Sequence, residues 1–190
     1  VRIVLFIDQT RSMSVARVHS LSPRDLAHLY SRVQTSGGEI AIGAIRDKSN
    51  APLVRLFIPP PPERPAEGSL PKNVFAAANL RTRESAARKK FEALLHAWQV
   101  ETNARISAFE ADVAPLLAAA SDAPRTDICS AMRRADVLLS EPTIYPSGVE
   151  NTVLLVTDGE ENVAPGSLPK LSAPASIVIV NGTGEMNSLA

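Results

Sequence analysis

The sequence predicts an α/β fold, a mostly parallel sheet flanked by helices, and three observations carry that reading. The chain opens with Val1-Arg2-Ile3-Val4-Leu5-Phe6-Ile7, a short run rich in β-branched residues and apolar at nearly every position, which suits a strand buried on both faces. Two more such runs, Val153-Leu154-Leu155-Val156 and Ile177-Val178-Ile179-Val180, come late in the chain. Segments with helical periodicity lie between them, the alternation from which parallel sheets are built.

At 190 residues the chain is long enough for one well-buried domain and short for two, so a single domain spanning 1–190 with an insertion is expected. The 20 basic and 20 acidic residues cancel, and no global field favours nucleic acid or an anionic membrane. No apolar run approaches the roughly 20 residues that span a bilayer, and no signal-peptide pattern is visible. With one cysteine, Cys129, there is no internal disulfide framework, and a cytoplasmic location is the expectation. Because Val1 already lies inside a strand, both ends are expected to be trimmed.

After the first strand, Ser22-Pro23-Arg24-Asp25 reads as a helix start with proline in the first turn. Leu26, Leu29, Tyr30 and Val33 then mark a face at helical spacing, and Gly37-Gly38 stops it. Glu39 to Ile45 and Leu53 to Ile58 are the second and third strands, and the short polar link at Arg46 to Asn50 makes them antiparallel. From Pro59 to Pro71 six prolines exclude helix and central strand; an extended, stiff linker is preferred over a ligand for an aromatic groove.

A long helical pattern follows, roughly Lys72 to Ala120, expected as an insertion outside the core. Phe91, Leu95 and Trp98, then Ile106, Phe109, Val113 and Leu116, form a coiled-coil-like stripe with a skip near Thr102. Unbroken, such a helix would reach roughly 65–75 Å, so it either projects as an arm or folds back near Thr102-Asn103, and its stripe needs a helix or a partner chain to cover it. Its basic cluster, Arg81, Arg83, Arg88, Lys89 and Lys90, carries interspersed acid and no stacking aromatics, so a solvated face is preferred to a phosphate site. Asp127 to Leu139 reads as another helix, Thr152 to Thr157 as the fourth strand, Glu160 to Pro174 as a loop and Ala175 to Val180 as the fifth strand.

The chemistry is concentrated on three loops. Asp8-Gln9-Thr10-Arg11-Ser12 follows the first strand and sets three oxygen donors at every second position, at the crevice where open α/β sheets bind ligands. Thr126-Asp127 opens a helix, and Asp158-Gly159 ends the fourth strand. Hard oxygen donors of this kind suit Mg²⁺ or Mn²⁺ rather than zinc. Taken together, the three loops resemble the von Willebrand factor A family with its metal-ion-dependent adhesion site: D-x-S-x-S after the first strand, a threonine on a second loop and an aspartate after the fourth strand. Asp8, Thr10, Ser12, Thr126 and Asp158 match in order. The departures are Thr10 for the commoner serine, and Arg11 and Arg125 where glycines are usual; those two arginines would sit at the rim.

The resemblance implies a Rossmann-like, doubly wound sheet of order 3-2-1-4-5 with the third strand antiparallel at its edge. It also implies that Thr10, Ser12 and Thr126 supply neutral oxygens to the cation while Asp8 and Asp158 act largely through water. The ion is then left short of negative charge and is completed by an Asp or Glu of a protein partner. The family's further helix, strand and helix have no sequence left to form them. An enzyme is not expected. One alternative is a Mg²⁺-dependent phosphatase like the haloacid dehalogenases, which also place an aspartate after the first strand and an acidic Asp-Gly loop after the fourth, as in Thr157-Asp158-Gly159-Glu160-Glu161; against it, they need a second carboxylate where this chain has Thr10. Ser12 lacks a nucleophile elbow, His19, His28 and His96 lack metal-ligand spacing, and Gly182-Thr183-Gly184 reads as a turn. A remaining alternative makes the long helix the working part and the sheet its scaffold.

Overall fold

The structure, a computed structural model, describes residues 1–15, 21, 23–66, 74–142, 148–159, 163, 168–180 and 186–189. Strand β1 (Arg2–Asp8) is buried at every position and pairs in parallel with β2 (Gly38–Ile45) on one side and β4 (Asn151–Val156) on the other. Strand β3 (Val54–Ile58) closes one edge antiparallel to β2, and β5 (Ser176–Val180) continues the parallel set beyond β4. The expected order 3-2-1-4-5 is therefore the order found, and it is extended by one strand. Residues Met186–Leu189 form β6, antiparallel to β5, where no strand was expected.

Alternation along β1 divides the core between two faces of the sheet. Ile3, Leu5 and Ile7 pack with Leu26, Tyr30 and Val33 of helix α2 (Pro23–Ser36) and with Met13 of the one-turn α1 (Arg11–Val15). Val4 and Phe6 pack on the opposite face against Ile128, Ala131, Met132, Ala135 and Leu138 of α4 (Ile128–Leu139), a stripe at helical spacing. Cys129, which is not in a disulfide, is buried in the same helix. At the end of α2, Gly37 takes a positive φ of 71°, and a side chain there would meet the backbone of Pro60.

The long helix differs from the expectation in an instructive way. Helix α3 (Val74–Ala118) is one unbroken element of 45 residues, so the hairpin near Thr102-Asn103 does not form. Its second half is not outside the core: Phe109 and Val113 are buried in the cluster under α2, Phe109 meets Tyr30 edge-on at 6.2 Å, and Trp98, Ile106 and Leu116 pack around them. Apolar area withdrawn from water at about 25 cal/mol per Å² is reason enough for the stripe to lie on the sheet wherever the sheet reaches it. The half before Trp98 extends past that support. Residues 59–66 run beside it as an extended strap, fixed where the Trp98 indole N–H donates to the Pro59 carbonyl at 3.0 Å. Residues 67–71 of the proline-rich stretch, and the Gly182-Thr183-Gly184 turn, lie outside the described residues.

Candidate metal centre

The three polar loops meet at the carboxyl end of β1 and β4, between the two central strands. Asp8, the last residue of β1, is 2% exposed. Its Oδ1 accepts hydrogen bonds from the Thr10 backbone N–H at 2.9 Å and from the Thr10 hydroxyl at 2.7 Å, and its Oδ2 accepts one from the Thr157 hydroxyl at 2.7 Å. The Thr10 hydroxyl lies 3.0 Å from that of Ser12 and accepts from that of Thr126 at 3.3 Å. Thr10 and Thr126 are both buried, whereas Ser12 and Asp158 are half-buried. Burial pushes the Asp8 carboxyl above its ordinary value; the hydroxyl and N–H donors of Thr157 and Thr10 oppose that shift, and the negative charge of Asp158 adds to it.

All five expected site residues are thus at one end of the sheet. Asp8, Thr10, Ser12 and Thr126 form one chain of contacts, and Asp158 stands close enough for its charge to act on Asp8. The expected rim residues, Arg11 and Arg125, are both exposed; the Arg11 Nε donates to the Asp122 carbonyl at 3.1 Å, which directs the guanidinium across the loop.

Each loop is held by a local device. The first is pinned by reciprocal backbone bonds, Arg11 N–H to the Ala123 carbonyl and Ala123 N–H to the Gln9 carbonyl. The Gln9 side chain, 3% exposed, adds a bond from its Nε2 to the Leu116 carbonyl at the end of α3, at 2.6 Å, and its Oε1 accepts from Arg46 at 3.3 Å. Arg46 in turn pairs with Asp122 at 2.7 Å. On the second loop Asp127 caps α4 by accepting from the Ser130 N–H, and its own N–H donates to the Arg46 carbonyl. On the third, Gly159 at φ 84° turns the chain so that its N–H reaches the Thr157 hydroxyl at 3.1 Å.

Two participants escaped the sequence reading. In the sequence Thr157 reads as the end of a strand, yet the register that pairs Ile7 with Val156 makes the next residues, Asp8 and Thr157, neighbours. Gln9 occupies a variable position of the motif, and nothing in its spacing distinguishes it.

The donor set is two carboxylates and a group of hydroxyls. Among the described residues no three His, Cys, Asp or Glu side chains cluster as a metal-binding group, so a cation here would rely on neutral oxygens. An octahedral Mg²⁺ with bonds of about 2.0–2.1 Å sets adjacent ligand oxygens about 2.9 Å apart. The Thr10–Ser12 separation of 3.0 Å and the Thr10–Thr126 separation of 3.3 Å lie near that spacing. Both are also ordinary hydroxyl–hydroxyl hydrogen-bond distances, so the arrangement is compatible with such an ion. Comparison of the chain with family models, curated proteins and solved structures finds no match.

Proposed function

We propose that this end of the sheet binds Mg²⁺, or Mn²⁺, and uses it to recognise a carboxylate of another protein, without catalysis. The observation that carries the reading is the convergence of three loop hydroxyls, Thr10, Ser12 and Thr126, at separations near those of oxygens sharing one small hard cation, above a buried carboxylate whose donors are all neutral. Thr10, Ser12 and Thr126 would hold the ion, and Asp8 and Asp158 would supply its charge from a greater distance. Bound there, the cation supplies a concentrated positive charge that neutral donors leave unsatisfied, and an aspartate or glutamate is the ligand that completes it.

The chain's own residues do the orienting. Thr157 and the Thr10 N–H fix the rotamer of Asp8, and Asp8 accepts a hydrogen bond from the Thr10 hydroxyl, which turns the lone pairs of that hydroxyl toward Ser12 and Thr126. The exposed Arg11 and Arg125 would favour an acidic partner at the rim. A non-catalytic role is supported by the loop itself, where Thr10 stands in the position that a phosphatase would need to fill with a general acid. No described helix is long and apolar enough to cross a membrane. We propose a cytoplasmic location, a compartment that suits a single cysteine outside any disulfide.

Calorimetric titration with Mg²⁺ and Mn²⁺ tests the reading, on the wild type and on the Asp8→Ala, Thr126→Ala double variant. Saturable binding to the first and none to the second is expected. Equal heats from the two proteins, or none from either, would overturn it.

A further inference from the structure

A second recognition surface lies away from the sheet, and it rests on different residues. Ahead of Trp98, helix α3 keeps a half-buried line at Leu80, Glu84, Ala87, Phe91 and Leu95, at helical steps of four and three, between exposed flanks. From Trp98 onward the same line is covered by the sheet and α2, whereas here, among the described residues, the strap lies beside it. Between strap and helix runs a groove of about 760 Å³, floored by Pro65, Ala87 and Phe91 and lined by three arginines, Arg64, Arg81 and Arg88, against two glutamates, Glu84 and Glu92. That volume is within the usual range for a ligand-binding cleft. Leu94, beside it, is 50% exposed.

Charge selects the occupant. Between Arg81 and Glu92 the helix carries five basic side chains (Arg81, Arg83, Arg88, Lys89, Lys90) against two acidic ones, a local surplus in a chain that is neutral as a whole. One of those acids, Glu92, already accepts from Arg88 at 3.1 Å. A second copy of this helix would bring the same positive surplus and be repelled. Nucleic acid would meet the charge but leave the apolar floor and Leu94 in water. We propose that the groove docks an acidic amphipathic helix of another protein, which lays apolar side chains on Phe91 and Ala87 and sets carboxylates against Arg81 and its basic neighbours. This surface needs no cation and stands apart from the reading of the metal centre.

The test uses the full chain in chelator, with fluorescence anisotropy of a labelled synthetic helix of about five turns that has leucines along one face and glutamates beside them. Its controls are the same peptide with the leucines changed to serine, the same peptide with the glutamates changed to lysine, and a single-stranded DNA oligonucleotide. Saturable binding of the acidic amphipathic peptide is expected, at least about tenfold tighter than any control and weakened about tenfold by Arg81→Glu and by Phe91→Ser. Equal binding of the serine peptide or of the DNA would overturn the proposal, as would binding indifferent to Arg81→Glu. Arg81 is exposed, so that variant decides the matter even if Phe91→Ser perturbs the helix.

Discussion

Strands β1 and β2 carry a buried carboxylate at each end of their shared length, and the two are accommodated in opposite ways. Glu39, at the start of β2, sits between two guanidinium groups: Arg55 Nε at 2.6 Å and Arg2 Nε at 3.3 Å. Arg2 also donates to the Leu138, Leu139 and Glu141 carbonyls at the end of α4, where the helix dipole favours a cation, and Arg55 continues to the Glu141 carboxylate. That end is a closed set of alternating charges. Asp8, at the end of β1, is more deeply buried, but its donors are hydroxyls and one N–H, and the charge that acts on it is a second carboxylate, Asp158. Burial alone therefore does not mark a site. A buried carboxylate matched by arginines is architecture, whereas one matched only by neutral donors retains negative charge that a cation can take up.

The largest effect is expected at the arginine-paired end. Glu39→Gln keeps the shape but removes the charge between Arg2 and Arg55, and breaking such a pair from one side costs about 3 kcal/mol, at the lower end of the usual range because Arg2 keeps its carbonyl acceptors. Chemical denaturation should show that loss, with Mg²⁺ affinity unchanged. A stable Glu39→Gln protein would erase the contrast between the two ends.

At the other end, Thr157→Val removes the donor to Asp8 Oδ2 while keeping the volume. It should cost about 1–3 kcal/mol for the acceptor left without a partner and lower Mg²⁺ affinity roughly 10–100-fold by freeing the Asp8 rotamer. Calorimetry of the variant reads the second quantity directly. Unchanged affinity would remove Thr157 from the site.

Asp8→Asn should change stability with the opposite sign to Glu39→Gln. Because burial raises the Asp8 carboxyl in the folded protein, the metal-free fold is favoured with Asp8 protonated and loses that stability as pH rises through the raised value. An uncharged amide removes the loss. Thermal melts in chelator at neutral pH should therefore show Asp8→Asn above the wild type, with the order reversed when Mg²⁺ is added. A lower melting temperature in chelator would mean that the hydroxyl donors already compensate the charge.

How much of this is legible in the sequence depends on whether a residue's role is set by its own neighbours or by register. Strand β1 is readable because a strand covered on both faces must be apolar throughout, and the antiparallel β3 because its link is too short to cross over. Strand β6 is not, since Met-Asn-Ser-Leu has no alternation and becomes a strand only by pairing with β5. Helix α3 is readable as a helix, but its stripe looks alike on both sides of Trp98, and only the position of the sheet decides which half is covered. In the site, motif spacing brings forward Asp8, Thr10, Ser12, Thr126 and Asp158, because each sits at a fixed offset from a strand or helix end. Thr157 and Gln9 act across strands and across the chain, where linear spacing carries no signal.

Gln9 supplies the smallest and most selective test of the two-ended comparison. Its amide ties the Asp8–Ser12 loop to the last turn of α3 through the Leu116 carbonyl and to Arg46 through its Oε1, and makes no hydrogen bond to Asp8 or the hydroxyls beside it. Gln9→Ala should therefore cost about 1–2 kcal/mol, the ordinary net worth of two hydrogen bonds of which the one to Arg46 is long. The loop, no longer braced on α3, should bind Mg²⁺ a few-fold more weakly, by a loss of conformational definition and not of a ligand. The matched experiment pairs Gln9→Ala with Glu39→Gln: the first lowers Mg²⁺ affinity at a smaller cost in stability, and the second lowers stability with affinity intact. If both variants move the two quantities in proportion, the ends of the sheet are one cooperative unit, and the division between an architectural carboxylate and a cation-ready one does not hold.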